Sequence, residues 1–121
     1  MKDIEVILQD SPGTLADLCE LLAEGGINIE GISVTTYKGE CPIHILVDDA
    51  DGAREILEAN WMDIISEKEV LLTEITDQVG ALGKISRRLA DNDINIEVVY
   101  LTVTGDVALV VDDLDKAQWL L

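Results

Sequence analysis

Asp10-Ser11-Pro12-Gly13-Thr14-Leu15 returns 67 residues later as Asp77-Gln78-Val79-Gly80-Ala81-Leu82, and Ile27-Asn28-Ile29-Glu30 returns unchanged as Ile94-Asn95-Ile96-Glu97 at the same spacing. Leu22-Ala23 and Leu89-Ala90 keep that register. Further on the spacing falls to 64, where Val47-Asp48-Asp49 matches Val111-Asp112-Asp113 and Ala53 matches Ala117. A hairpin three residues shorter in the second copy accounts for the change, because loop tips absorb deletions cheaply. The chain is thus a tandem duplication, with one copy expected over residues 1–67 and the other over 68–121, and both are to be read as one supersecondary unit.

The first copy carries that reading. Ile4 to Leu8 is mostly apolar and predicts a strand. Ser11 or Asp10 is placed to cap a helix whose first turn holds Pro12, where a missing N–H does no harm. Leu15, Leu18, Cys19 and Leu22 repeat at helical spacing, and Gly25-Gly26 ends the helix. A second strand is expected over 27–36, and Lys38-Gly39-Glu40 turns the chain into a third, Pro42 to Val47. A helix follows over about 50–60 with Ala53, Ile56 and Leu57 as its apolar stripe, then a short strand from Met62 to Ser66. The order β-α-β-β-α-β is the ferredoxin-like α+β arrangement, an antiparallel sheet with helices on one face. The second copy reads as strands 70–75, 94–104 and 107–111 with helices 79–90 and 114–121. It lacks the last strand, so its sheet is expected to leave an edge open.

Composition narrows the functions. The 121 residues include 25 acidic and 8 basic side chains, a net charge of −17, with 48% apolar residues. That apolar share fits a folded chain rather than a disordered acidic tail. Nucleic acid and anionic membranes meet a field of their own sign, offset only by Lys84, Arg87 and Arg88 on one helix face. A solubility device is the other reading of this acidity. Phenylalanine is absent and Tyr37, Trp61, Tyr100 and Trp119 are the only aromatics, so an aliphatic, alanine-rich core is expected and a nucleobase-stacking platform is not. Two cysteines make no disulfide framework, and Cys19 is expected to be buried. Charges at Lys2, Asp3 and Glu5 interrupt any signal-peptide core, and no apolar run reaches a membrane span, which points to a soluble cytoplasmic protein.

Catalytic residues are not found. His44, the one histidine, follows Cys41 by three residues, which on a strand puts the two on opposite faces. It is expected to be a satisfied or half-exposed strand histidine. Asp48-Asp49 and Asp112-Asp113 read as helix-capping carboxylates. No metal-ligand spacing, phosphate loop or cofactor motif appears, so neither a metal nor a cofactor is expected.

The repeated loops are the remaining candidates. Asp10 to Gly13 brings unpaired backbone N–H groups at a helix start, which suit a carboxylate, while Asp10 suits an ammonium and Asn28 suits either. A carboxylate and an ammonium a few ångströms apart describe a free α-amino acid. Equally, Asp10 caps the helix and Asn28 fixes the turn after Gly25-Gly26. Spacing alone leaves both readings open.

Asp10-Ser11-Pro12-Gly13-Thr14-Leu15 followed by Gly26-Ile27-Asn28-Ile29 resembles the ACT domain, with its Asn/Asp-x-Pro-Gly-x-Leu loop and later Gly-Ile/Val-Asn-Ile. The copy at Asp77 to Leu82 with Asp93-Ile94-Asn95-Ile96 is similar, with Val79 in place of the proline. The resemblance covers nearly the whole chain and implies two βαββαβ regulatory units that bind an amino acid or other small metabolite between paired units, within a homodimer. It implies a site built from Asp10, Ser11, Pro12, Gly13, Thr14, Asn28 and Ile29, with Asp77, Gln78, Gly80, Ala81, Asn95 and Ile96 in the second copy. Some members carry a polar side chain two residues before the loop acid; Leu8 and Ile75 stand there. Two other readings stay on the table: an assembly module that binds no small molecule, and a small acylphosphatase-like enzyme, which would want an arginine in the first loop where Ser11, Gly13 and Thr14 stand.

Overall fold

A computed structural model describes all 121 residues, in two compact units, Met1–Lys68 and Glu69–Leu121. The first unit runs β1 (Lys2–Gln9), α1 (Thr14–Glu24), β2 (Ile29–Val34), β3 (Glu40–Val47), α2 (Ala50–Ala59) and β4 (Asp63–Glu69), with sheet order β2-β3-β1-β4. β1 and β2 both pair antiparallel with β3. Alternation along the strands decides the faces. Ile4 and Val6 of β1 and Cys41, Ile43, Ile45 and Val47 of β3 share one core with Leu18 and Leu22 of α1 and Ala53 and Leu57 of α2. Both helices therefore cover the same side of the sheet. Burying each such Val, Leu or Ile contributes about 1.5–3 kcal/mol.

Capping follows the carboxylates in two helices and a glycine in the other two. Asp49 Oδ1 accepts from the Gly52 N–H at 2.9 Å, and Asp113 Oδ1 accepts from the Lys116 N–H at 3.1 Å. The expected cap on the first helix does not form. α1 starts at Thr14, its N-cap is Gly13 at φ 93°, and neither Asp10 nor Ser11 bonds a helix N–H through its side chain. The apolar stripe of α1 also lies differently from expectation: Leu18 and Leu22 are fully buried, but Leu15 is exposed and Cys19 is only half-buried. The buried cysteine is Cys41, on the core face of β3. Arg54 ties α2 to β4 by donating to both carboxylate oxygens of Glu67, at 2.8 and 3.1 Å.

The second unit runs β5 (Leu71–Thr73), α3 (Ala81–Asp91), β6 (Ile96–Leu101), β7 (Val107–Val111) and α4 (Leu114–Leu120), with sheet order β5-β7-β6. Its register repeats the first: Leu71 faces Leu109 as Ile4 faces Ile45, and Leu101 faces Val107 as Val34 faces Ile43. Where β1 has β4 beside it, β5 stands at the sheet edge. The buried core is smaller, formed by Leu89, Ile94, Val107, Leu109 and Ala117. One aromatic departs from the aliphatic expectation: Tyr100 is buried, while Tyr37, Trp61 and Trp119 are exposed. No helix is long and apolar enough to cross a membrane.

Candidate functional site

The two loops that follow the first strand of each unit share three backbone hydrogen bonds, and in the first loop Thr14 Oγ1 also donates to Gln9 O and Ser11 O, bonds that Ala81 cannot make. Ser11 N–H donates to Gln9 O, Thr14 N–H to Ser11 O and Asp17 N–H to Gly13 O. Sixty-seven residues on, Gln78 N–H donates to Thr76 O, Ala81 N–H to Gln78 O and Lys84 N–H to Gly80 O. Gly13 and Gly80 sit at φ 93° and 87°, in the left-handed region where a Cβ would be strained, so the shared glycine has a conformational reason. Neither helix has a side-chain cap. Leu15 and Ala16 in the first loop, and Leu82 and Gly83 in the second, therefore point amide N–H groups out of the helix start without a helical acceptor.

The loops differ in what the neighbouring hairpin does. Between the paired residues Val34 and Ile43 the first hairpin holds eight residues; between Leu101 and Val107 the second holds five. The longer hairpin continues the ladder, so Ile7, Leu8 and Gln9 of β1 pair with Pro42, Cys41 and Glu40, and Asp10 N–H donates to Gly39 O at 3.1 Å. The corresponding Glu74, Ile75 and Thr76 have no such partners, because β7 starts at Val107, and β5 ends at Thr73. With the shorter hairpin, the end of the adjacent strand is left without ladder partners. The result is a cleft of about 480 Å³ whose wall includes Thr76, Asp77, Gln78, Gly80 and Ala81 with the apolar side chains of Ile75, Leu82 and Leu101. Beside the first loop the hollow is about 390 Å³, runs along Ile7, Gln9, Glu40 and Asp63, and includes none of Asp10 to Thr14.

Asp10, Ser11, Pro12, Gly13 and Thr14 lie together, and so do Asp77, Gln78, Gly80 and Ala81. Asn28 and Ile29 do not join them within their unit. Gln9 faces Glu40 and Ile29 faces Val47, so the two motifs are separated by the seven-residue step from Glu40 to Val47, about 23 Å at the usual strand rise. Asn28 instead donates through Nδ2 to Glu30 Oε1 at 3.0 Å. Asn95 and Ile96 likewise sit at the Val111 end of their sheet, away from the cleft, where Asn95 N–H donates to Asp112 Oδ1. A single amino acid cannot touch Asp10 and Asn28 of one unit at once.

A polar cluster that the spacing of residues did not reveal lies on the sheet face away from the core. His44 is placed 2.9 Å from Asp3 Oδ2 through Nδ1, and 3.7 Å from Glu5 through Nε2. Cys41 projects into the core, so the structure makes no Cys–His pair. The Asp3 hydrogen bond and charge, helped by Glu5, hold His44 above its usual pKa of 6.5 against burial and Lys68. Stabilisation from this pair is full below that ordinary value and fades as pH rises through the raised one. Melting temperatures of the wild-type chain and His44→Gln are therefore expected to differ most at pH 5 and to converge toward pH 8. A gap that stays constant across that range would remove the histidine charge from the account.

Together these features define a small α+β protein of two ferredoxin-like units, each with a glycine-started helix above the end of its sheet. The family model of the ACT domain matches residues 2–59, which lie within the first unit, and that unit is an ACT domain. The chain is similar in structure to a Bacteroides thetaiotaomicron protein, with a TM-score of 0.86 and 23% identity over 99% of this chain and 85% of that one. It is also similar to the regulatory subunit of aspartate kinase from Thermus thermophilus, with a TM-score of 0.76 and 21% identity over 99% of this chain and 87% of that one. At these identities the likeness is one of fold. No curated protein matches the chain in sequence.

Proposed function

We propose that the chain is a non-catalytic regulatory protein of the cytoplasm that binds a free amino acid at the β5–α3 loop and pairs with a second copy of itself. The observation that carries this reading is the cleft, which gathers Asp77, Gln78, Gly80 and Ala81 beside the unused amides of Leu82 and Gly83. The amides and helix dipole suit the ligand carboxylate, and Asp77 suits its ammonium. The fold likeness to a regulatory subunit of aspartate kinase fits a regulatory role. Binding regulates by favouring whichever conformation or assembly the ligand prefers, and only by that difference in affinity.

Pairing accounts for the asparagines. β2 and β6, each at one edge of its sheet, leave apolar side chains exposed at equivalent places, Ile32 and Val34 in one and Val99 and Leu101 in the other. Antiparallel pairing of such an edge with its counterpart in a second copy sets the start of one strand beside the end of the other. Asn28 or Asn95 of the second copy would then approach the loop end of the first. The same exposed pairs favour the second reading, an assembly module with no ligand. Thermal denaturation in the presence of each free amino acid separates the two, because a true ligand raises the melting temperature with concentration. A dimer by sedimentation whose melting temperature no amino acid moves would leave the assembly module standing.

A further inference from the structure

Resting on the amino-acid reading, we infer that only the second unit holds a working site and that it selects a ligand with a branched aliphatic side chain. Both loops share the glycine, the acid and the bare helix amides, so these features do not tell one copy from the other. The hairpin does. In the first unit the ladder runs to Gln9 and Asp10 N–H is spent on Gly39 O, and the hollow beside that loop is lined by Ile7, Gln9 and Glu40 rather than by Asp10 to Thr14. In the second unit the three missing hairpin residues leave an opening of about 480 Å³, within the roughly 300–1,000 Å³ of small-molecule sites.

The walls indicate the side chain. Asp77 and the amides of Leu82 and Gly83 stand at the loop, where the charged ends of an amino acid would be held. The rest of the cleft is apolar, with Ile75 from the strand side, Leu82 from α3 and Leu101 from the end of β6. Leu82 and Leu101 are 43% and 63% exposed, and burying them would repay a ligand that brings its own apolar surface. No lysine or arginine lines the cleft to meet an acidic side chain. A leucine, isoleucine or valine matches both halves of the site.

Isothermal titration of the intact chain with each of the twenty free amino acids tests this. The expected result is one ligand per chain, with L-leucine, L-isoleucine or L-valine bound about tenfold or more tighter than L-alanine or L-serine. Leu101→Glu and Asp77→Ala, both at exposed positions, are each expected to weaken that binding about tenfold or more, with far-ultraviolet circular dichroism confirming that each variant folds. Two ligands per chain, a polar amino acid as the tightest binder, or unchanged affinity in both variants would overturn the inference while leaving amino-acid binding in place. No heat with any of the twenty would overturn the inference and the reading beneath it.

Discussion

Leu109→Ala is expected to strip hydrogen-exchange protection from β5, β6 and β7 while β1 and β3 keep theirs. Leu109 is fully buried in the central strand of a three-stranded sheet, facing Leu71 on one side and Val99 on the other. Its core contains only Leu89, Ile94, Val107 and Ala117 as further buried members. Truncating a buried leucine costs about 2–5 kcal/mol, through lost transfer energy and the cavity left behind. So small a core has few side chains able to collapse into the gap, which argues for the upper part of that range. Protection factors that report opening of this unit would fall roughly thirtyfold to several thousandfold. The first unit, with Ile4, Val6, Leu18, Leu22, Ile43, Ile45 and Leu57 all fully buried, keeps its own packing. Exchange by mass spectrometry reads both units in one sample, and equal loss of protection in β1 and β3 would show that the two cores do not open separately.

Much of this architecture is legible in the residues because a duplication states the same pattern twice. Loop, helix and strand recur at a constant spacing, and the drop from 67 to 64 falls inside one hairpin. What that spacing does not convey is which end of the sheet each motif occupies. Helix α1 carries the chain back toward the end where β1 began, so Asp10 and Asn28 finish at opposite ends although they belong to one motif. The missing side-chain cap on α1 has a similar origin. Asp10 and Ser11 are good capping residues, but Pro12 and Gly13 at φ 93° carry the chain onward before the helix begins, so the cap position falls to a residue without a side chain. The Asp3–His44 pair joins residues 41 apart through strand register alone, and no local pattern announces it. The consequence of the shorter hairpin is hidden for the same reason. A three-residue deletion is visible in the sequence, but that it unpairs Glu74, Ile75 and Thr76 follows only once β5 is set against β7.

That deletion sets up an experiment whose two readouts should move in opposite directions. Replacing residues 102–106 with the eight residues 35–42 of the first hairpin is expected to stabilise the second unit and abolish amino-acid binding. The longer hairpin supplies partners for Glu74, Ile75 and Thr76, as Pro42, Cys41 and Glu40 do for Ile7, Leu8 and Gln9. Each added backbone hydrogen bond contributes about 0.5–1.5 kcal/mol net. Closing a loop of eight residues rather than five costs only about 0.4 kcal/mol more. The balance favours folding by about 1 kcal/mol or more, a rise of roughly 4–8 °C in melting temperature for each kcal/mol in a unit this small. The same residues would close over the Asp77 loop as Gly39 closes over Asp10, filling the opening between Ile75 and Leu101. General damage to the protein would lower stability and binding together, so a gain in one with loss of the other isolates the cleft as the cause. Binding that survives the transplant would mean that the ligand lodges elsewhere, and a fall in melting temperature would mean that the unpaired strand end is not what the shorter hairpin cost.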